Sequence, residues 1–263
     1  MPEQNPLPKP SPLRIGPHFH ALGYPLYAGS EAVLWSLLQA HLTAEAAPLA
    51  NCVTLNPELA IIGWRDPRYR RFIEEAALVT CDGIGLQLAV RMKAQQHISR
   101  IAGASMVHPL CDLAARLRLS VALLGGKSES NRAACAALAA CHPGLDINGF
   151  SPTVASDGRL EEWDRVALAE LLSRRPVIVL TCFGAPKDGL FVMGESKLLS
   201  AAGVRFTVGL GGTVDFLSGR VSRAPDWIQR LGLEWLHRTV VQPARIGRLF
   251  RNVIPFFWQA LRH

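Results

Sequence analysis

The 263-residue chain contains no run approaching the roughly 18–20 uninterrupted apolar residues that a membrane-spanning helix needs. Its N-terminus, MPEQNPLPKPSPLRIGPHFH, is proline-rich and lacks the apolar core of a signal peptide. It reads as a disordered leader, and the protein as one that stays in the cytosol. The six cysteines (Cys52, Cys81, Cys111, Cys135, Cys141, Cys182) include no CxxC pair, which argues against a zinc site or a disulfide framework. Several lie in apolar or alanine-rich contexts, where a free cysteine behaves as a small hydrophobe. No DxD triplet is present, so the usual acidic pair that holds a metal on a nucleotide diphosphate is missing. No GxGxxG turn follows the first or second apolar run, which disfavours a nicotinamide enzyme of similar topology.

What is present is a globular composition, 49% hydrophobic and 19% charged, long enough for one large domain with an appendage. The net charge of +7 is concentrated at one end. From Arg220 to His263 eight arginines stand against Asp226 and Glu234, leaving the first 219 residues nearly neutral. Such a segment points to an anionic partner, a membrane surface or nucleic acid.

Apolar runs at 50–55, 77–80, 121–126, 145–150, 176–184 and 204–212 read as strands. Helix-period segments at 57–77, 84–96, 104–117, 129–141, 160–173 and 187–201 alternate with them. This alternation predicts an α/β fold: a Rossmann-like, mainly parallel sheet covered by helices on both faces. The expected organisation is a leader over 1–19, an α/β domain over 20–219 and a basic helical appendage over 220–263.

In such a sheet ligands bind outside the carboxyl ends of the strands, and the unusual residues gather there. TLNPE (54–58) brings Thr54 and Asn56. Asn56-Pro57 reads equally as a helix cap followed by proline at the first helical position, or as a ligand site. VTCDGIG (79–85) places Asp82 and Gly83 where a buried strand gives way to a helix. Asp82 is open to three readings: turn residue, cap or catalytic group. LLGGKSES (123–130) supplies Gly125 and Gly126, and CFGAPKDG (182–189) supplies Gly184, Pro186 and Lys187. GLGGTVDFLSG (209–219) supplies Gly211, Gly212 and Asp215. One such turn means little, because glycine and aspartate are common in any loop. Their recurrence at successive strand ends predicts a cleft for a phosphate-bearing ligand, met by backbone N–H groups and helix N-termini.

The order of VTLNPE, VTCDGIG, RIAG, LLGG, FGAPK, VGLGGTVDFLSGRVSRAPDWIQRLGLEWLHR and QPARIGR resembles the WecG/TagA/CpsF family of bacterial glycosyltransferases, over about residues 24–250. The most specific block is Gly209–Arg248, where the glycine pair, Asp215, Arg223-Ala224-Pro225, Glu234-Trp235, Arg238 and Pro243 fall in family order. The resemblance implies inverting transfer of a sugar (N-acetylmannosamine, its uronic acid or a related hexose) from a UDP donor to a polyprenyl-diphosphate-linked saccharide. It implies neither a metal nor a cofactor. Thr54 and Asp82 would line the active site, with Asp82 taking the proton of the acceptor hydroxyl. Arg100 and Gly103 of RIAG, with Arg223, Arg238, Arg245 and Arg248, would join in substrate binding. Lys187 or the tail arginines would neutralise the departing diphosphate.

Two departures stand out. The family usually follows proline-lysine with glutamine and glutamate, where this chain has Asp188-Gly189. It also tends to carry an aspartate two positions beyond the RxxG glycine, where this chain has Ser105. Both changes are expected to remove polar groups near the pocket. They motivate a rival reading, a catalytically silent nucleotide-sugar-binding or scaffold protein.

After Pro243 the tail reads ARIGRLFRNVIPFFWQALRH. Ile246, Leu249, Phe250, Val253, Phe256, Phe257 and Leu261 recur at helical spacing, flanked by Arg245, Arg248 and Arg251, and Trp258 suits an interface. The pattern predicts a helix lying in an anionic inner-membrane surface, on the cytoplasmic face, kinked or interrupted at Pro255. The alternative is a helix packed on the domain or on a partner copy in a homo-oligomer. Nucleic acid is disfavoured, because the aromatics cluster on the apolar face without a recognition motif.

Overall fold

The computed structural model describes residues 12–230, 232, 234–241, 247, 251, 254–260 and 262. Each predicted run overlaps a strand: β3 (Ala50–Leu55), β4 (Leu78–Cys81), β5 (Val121–Gly125), β6 (Ile147–Phe150), β7 (Ile178–Cys182) and β8 (Phe206–Gly209). They form one sheet in the order β4-β3-β8-β7-β5-β6, every neighbouring pair parallel. Alternate residues serve opposite faces. Val53 and Leu55 belong to one apolar cluster while Ala50 and Cys52 belong to the other, and β5 divides the same way. Burial on both faces is why these strands read as continuous apolar runs.

One face is covered by α2 (Pro57–Arg65), α3 (Pro67–Glu75), α4 (Ile84–Ala94), α7 (Arg165–Ser173), α8 (Lys187–Gly194) and α9 (Ser196–Ala201). The other carries α1 (Glu31–Thr43), α5 (Gly103–Leu117), α6 (Ser128–Cys141) and α10 (Val214–Leu217). The expected single helix over 57–77 is two. Asp66 accepts from the Arg68 N–H at 2.9 Å and caps α3, while Pro67 cannot continue α2 and starts the next helix instead.

Of the leader expected over 1–19, residues 1–11 lie outside the described residues, while those from Arg14 are held on the domain. The Arg14 guanidinium donates to the carbonyls of Ala76 and Glu74, and the Ile15 N–H donates to Ala77 O at 2.8 Å. β1 (His18–Ala21) and β2 (Tyr24–Tyr27) then make an antiparallel hairpin whose Tyr24 and Leu26 are fully buried. The chain is therefore docked from Arg14 onward.

The tail also differs from a free amphipathic helix. After α11 (Asp226–Arg230) and α12 (Glu234–Val241), α13 (Ile254–Ala260) packs on the domain. Phe256 is fully buried, its ring stacked on Trp64 at 5.6 Å, and Trp64 stacks in turn on Tyr24. Pro255 lies in the first described turn of this helix, and the residues just before it, 252–253, lie outside the described residues. Trp258 points outward at 62% exposure with the Arg262 guanidinium 4.6 Å from its ring. Ile246, Leu249, Phe250, Val253 and Leu261 lie outside the described residues, as do Arg245 and Arg248. No described helix is long and apolar enough to cross a membrane.

Candidate active site

The carboxyl ends of β3, β4, β7 and β8 converge on a cleft of about 660 Å³. Thr54, Asn56, Asp82, Gly83, Arg100, Gly103, Gly184, Gly211 and Gly212 all line it, although they come from five separate stretches of chain. Glu234, Trp235 and Phe257 of the C-terminal helices close its outer side.

Asp82 directly follows β4, its N–H held by Leu55 O at 2.7 Å. Residues 100–101 run beside that strand end, with Arg100 bridging Cys81 and the Ile101 N–H donating to Cys81 O at 2.8 Å. They feed straight into α5, whose first N–H, that of Gly103, donates to Asp82 Oδ2 at 3.4 Å. Burial pushes the Asp82 carboxyl up to about 6. The Gly103 N–H opposes that rise, Glu234 adds to it by repulsion, and Arg100 and Arg223 oppose it as cations. A carboxylate so placed is charged at neutral pH and still basic enough to accept a proton. Asp82 makes no cap bond to α4, whose N-cap is Gly83, while its carboxylate accepts from the first N–H of α5.

Thr54 is buried at 5% exposure and donates to Gly209 O at 3.3 Å. A Cβ on Gly103 would lie 2.9 Å from Thr54 Oγ1, so glycine is needed there for α5 to approach β3. Asn56 lines the cleft and also caps α2, accepting from the Leu59 N–H at 3.0 Å. The cap reading is realised, and the residue also faces the cleft.

The arginines are held in place. Arg100 Nη2 donates to Gln229 O at 2.7 Å. Arg223 Nε donates to Glu234 Oε1 at 3.1 Å, and its Nη2 donates to Ser105 Oγ at 3.0 Å. Ser105, expected to be a lost polar group, thus keeps a hydrogen bond to the arginine.

Other expected residues lie elsewhere. Lys187 turns away, its ammonium donating to Val154 O at 2.8 Å, and it does not line the cleft. Pro186 and Asp215 are also outside the lining, as are Gly125 and Gly126. The last two permit close packing: a Cβ at either position would come within 2.8 Å of the Cys182 backbone or of Val214. Arg223 stands behind the lining, touching Asp82 by charge rather than by contact. The Arg238 side chain lies outside the described residues.

The largest surprise is Asp188. The departure at 188–189 was expected to empty the pocket of polarity, yet Asp188 is a buried carboxylate in its lining, 7% exposed. It accepts from the Phe183 N–H at 2.8 Å. Burial raises its carboxyl to about 6, against hydrogen bonding from the Phe183 N–H, the Thr181 hydroxyl and the Gly184 and Gly211 N–H groups. Those glycine N–H groups were expected to meet a ligand phosphate, and an internal carboxylate already engages them. At Gly189 an added Cβ would lie 2.5 Å from the Phe72 ring and 2.7 Å from Tyr69. Glu234 was also missed as a site residue. Its signal was there, one of two acids in a segment with eight arginines.

The family profile described as the Glycosyl transferase WecG/TagA/CpsF family matches residues 19–263. The chain is 30% identical over 197 residues to the N-acetylglucosaminyldiphosphoundecaprenol N-acetyl-beta-D-mannosaminyltransferase of Bacillus subtilis, covering 74% of this chain and 73% of that protein. It is 30% identical over 214 residues to the protein of the same name from Bacillus spizizenii, covering 81% and 79%. The profile match spans the sheet, the cleft and the C-terminal helices alike, and the chain belongs to the WecG/TagA/CpsF family of glycosyl transferases.

Proposed function

We propose that the protein is an inverting, metal-independent glycosyltransferase that moves a sugar from a UDP donor to a polyprenyl-diphosphate-linked saccharide. N-acetylmannosamine, its uronic acid or a related hexose is the transferred unit. The relatives named above transfer an N-acetyl-β-D-mannosaminyl group to N-acetylglucosaminyl-diphosphoundecaprenol by name, which supports this pair of substrates.

The observation that carries the reading is Asp82: a desolvated carboxylate at a strand end, in a cleft, beside two fixed arginines. The acceptor hydroxyl oxygen attacks the anomeric carbon of the donor and forms the new glycosidic bond. The bond from that carbon to the UDP oxygen breaks, its electron pair leaving with UDP. Asp82 takes the hydroxyl proton. A single in-line displacement inverts the anomeric configuration. Arg100, which lines the cleft, meets the charge that develops on the leaving diphosphate, and Arg223 behind the lining adds to the positive field, the task an acidic pair and a metal would otherwise share. Thr54 lies beside Asp82 at the sheet edge of the cleft and orients the substrate there.

The enzyme works peripherally on the cytoplasmic face of the inner membrane. Exposed Trp258, Trp227 and Val240 on the C-terminal helices, with the basic charge of that segment, support the membrane contact. Incubation of the full chain with a panel of radiolabelled UDP-sugars and a short-chain lipid-diphosphate acceptor tests the activity. A labelled lipid product and stoichiometric UDP are expected with at least one donor. Donor binding without any transfer across the panel would leave the silent-protein reading in possession.

A further inference from the structure

The cleft holds a second carboxylate that the proposed chemistry does not use. Asp188 sits in the first turn of α8, between the end of β7 and Gly209 of β8. A Cβ at Gly209 would stand 3.3 Å from its own Cβ. It accepts from the Phe183 N–H after β7 at 2.8 Å, and the Gly184 and Gly211 N–H groups of the two turns lie close enough to favour its charge. Clustered backbone N–H groups of this kind form an anion-binding nest. Here the anion is part of the chain. These N–H groups and the Thr181 hydroxyl favour its charge without neutralising it, and that charge stands in the lining of the cleft. The named cations lie toward β4, where Arg100 and Arg223 act on Asp82.

We propose that Asp188 is a positioning and specificity residue: standing between the β7 and β8 turns, it excludes the donor diphosphate from that end of the cleft and directs it toward Arg100 and the positive field of Arg223 behind it. The β7–β8 end then receives an uncharged, hydrogen-bonding part of the donor. This rests on the cleft being a nucleotide-sugar site. A phosphate cradle of glycine turns, the expectation from sequence, is replaced by a polarity running across the cleft, repulsive at β7–β8 and attractive at β4. Specificity commonly uses such a repulsive element beside an attractive one.

Inorganic pyrophosphate is the probe, because it carries the charge without the sugar or base. Asp188→Asn keeps an oxygen that can accept from the Phe183 N–H but removes the charge. Calorimetry on the folded full chain should show pyrophosphate binding Asp188→Asn roughly tenfold more tightly than wild type, the size expected for losing one like charge several ångströms away. In turnover with the best donor, KM should change more than kcat. Asp188→Glu, which restores the charge, should return pyrophosphate affinity toward the wild-type value, a rescue that a purely structural role does not predict. Equal affinity of wild type and Asp188→Asn, or no binding to either, overturns the proposal. The donor panel on wild type reports separately on the transferase reading. Should Asp188→Asn fail to fold, Asp188→Ser makes the same comparison: a roughly tenfold gain in pyrophosphate affinity over wild type supports the proposal, and equal affinity overturns it.

Discussion

Asp82 and Asp188 face one cleft from opposite walls, and burial raises both carboxyls to about 6. Their surroundings differ. Asp82 has one long backbone contact, at 3.4 Å, and two cations nearby, so its oxygens remain available. Asp188 is committed to a short 2.8 Å bond and further donors from two turns. The same proton affinity thus arises in a group free to react and in a group fixed as scaffold. A raised pKa marks a functional site only together with free valence toward the ligand.

The strongest way to break the comparison is Asp82→Asn. Loss of a general base typically costs about 10²–10⁴-fold in rate, and the fold should survive because Asp82 holds only one long contact. A variant keeping more than half of the wild-type turnover would return Asp82 to the status of a turn residue. Donor binding, measured alongside, should change little.

The acid limb of the pH–rate profile sharpens it next. Asp82 must be deprotonated to act, so kcat/KM should fall about tenfold per unit below pH ~6. Stability runs the other way. Both carboxyls bind protons more tightly in the folded chain than the ordinary value of 3.8 allows. Their contribution to stability is therefore fully present below pH ~4 and is lost as pH rises through about 6. Asp188→Asn should leave the limb where it is and flatten part of the stability trend. A limb that vanishes with Asp188→Asn would exchange the two roles.

Much of the sheet was legible because burial on both faces leaves an apolar run that local reading detects, and Ala50–Leu55 coincides with its predicted run. The hairpin was not. Its strands are four residues each and β2 contains Pro25, so its stability comes from Tyr24 and Leu26 packing against distant helices. The break at Asp66-Pro67 repeats the signal read correctly at Asn56-Pro57, and was overridden by the length of the helical pattern. Asp82 stood out at a strand end in a glycine-rich turn. Asp188 could not, because Gly209 and Gly211 at the end of β8 come beside it only after β7 and β8 pair. Phe256 likewise looked like one member of a lipid-facing stripe until Trp64 supplied its partner.

Gly189 tests how firmly the Asp188 wall is packed. Gly189→Ala should destabilise the chain by about 1–3 kcal/mol, the usual range for overpacking, since Phe72 or Tyr69 must shift. Urea unfolding reads this directly. The paired change to Gln-Glu, which would restore the family's usual residues, should be worse and should not broaden donor use. Unchanged stability of Gly189→Ala would show that the rings yield freely and that the departure at 188–189 is a matter of polarity alone.

The smallest effect concerns the cationic wall. Ser105 accepts from Arg223 at 3.0 Å, and Arg223 is one of the cations that oppose the rise of Asp82. Ser105→Asp would place a full negative charge on that guanidinium, partly cancelling its field at Asp82, and would add a like charge of its own. A screened charge at such a distance is worth about half a pH unit. Both effects favour protonated Asp82, so the acid limb should move upward by that amount while the high-pH plateau of kcat changes little. The family's usual aspartate at this position would then act as a fine adjustment of the base, which this chain sets lower. A limb that stays in place or moves downward would mean that Arg223 is not coupled to Asp82, and would leave Arg100 as the cation that matters to the base.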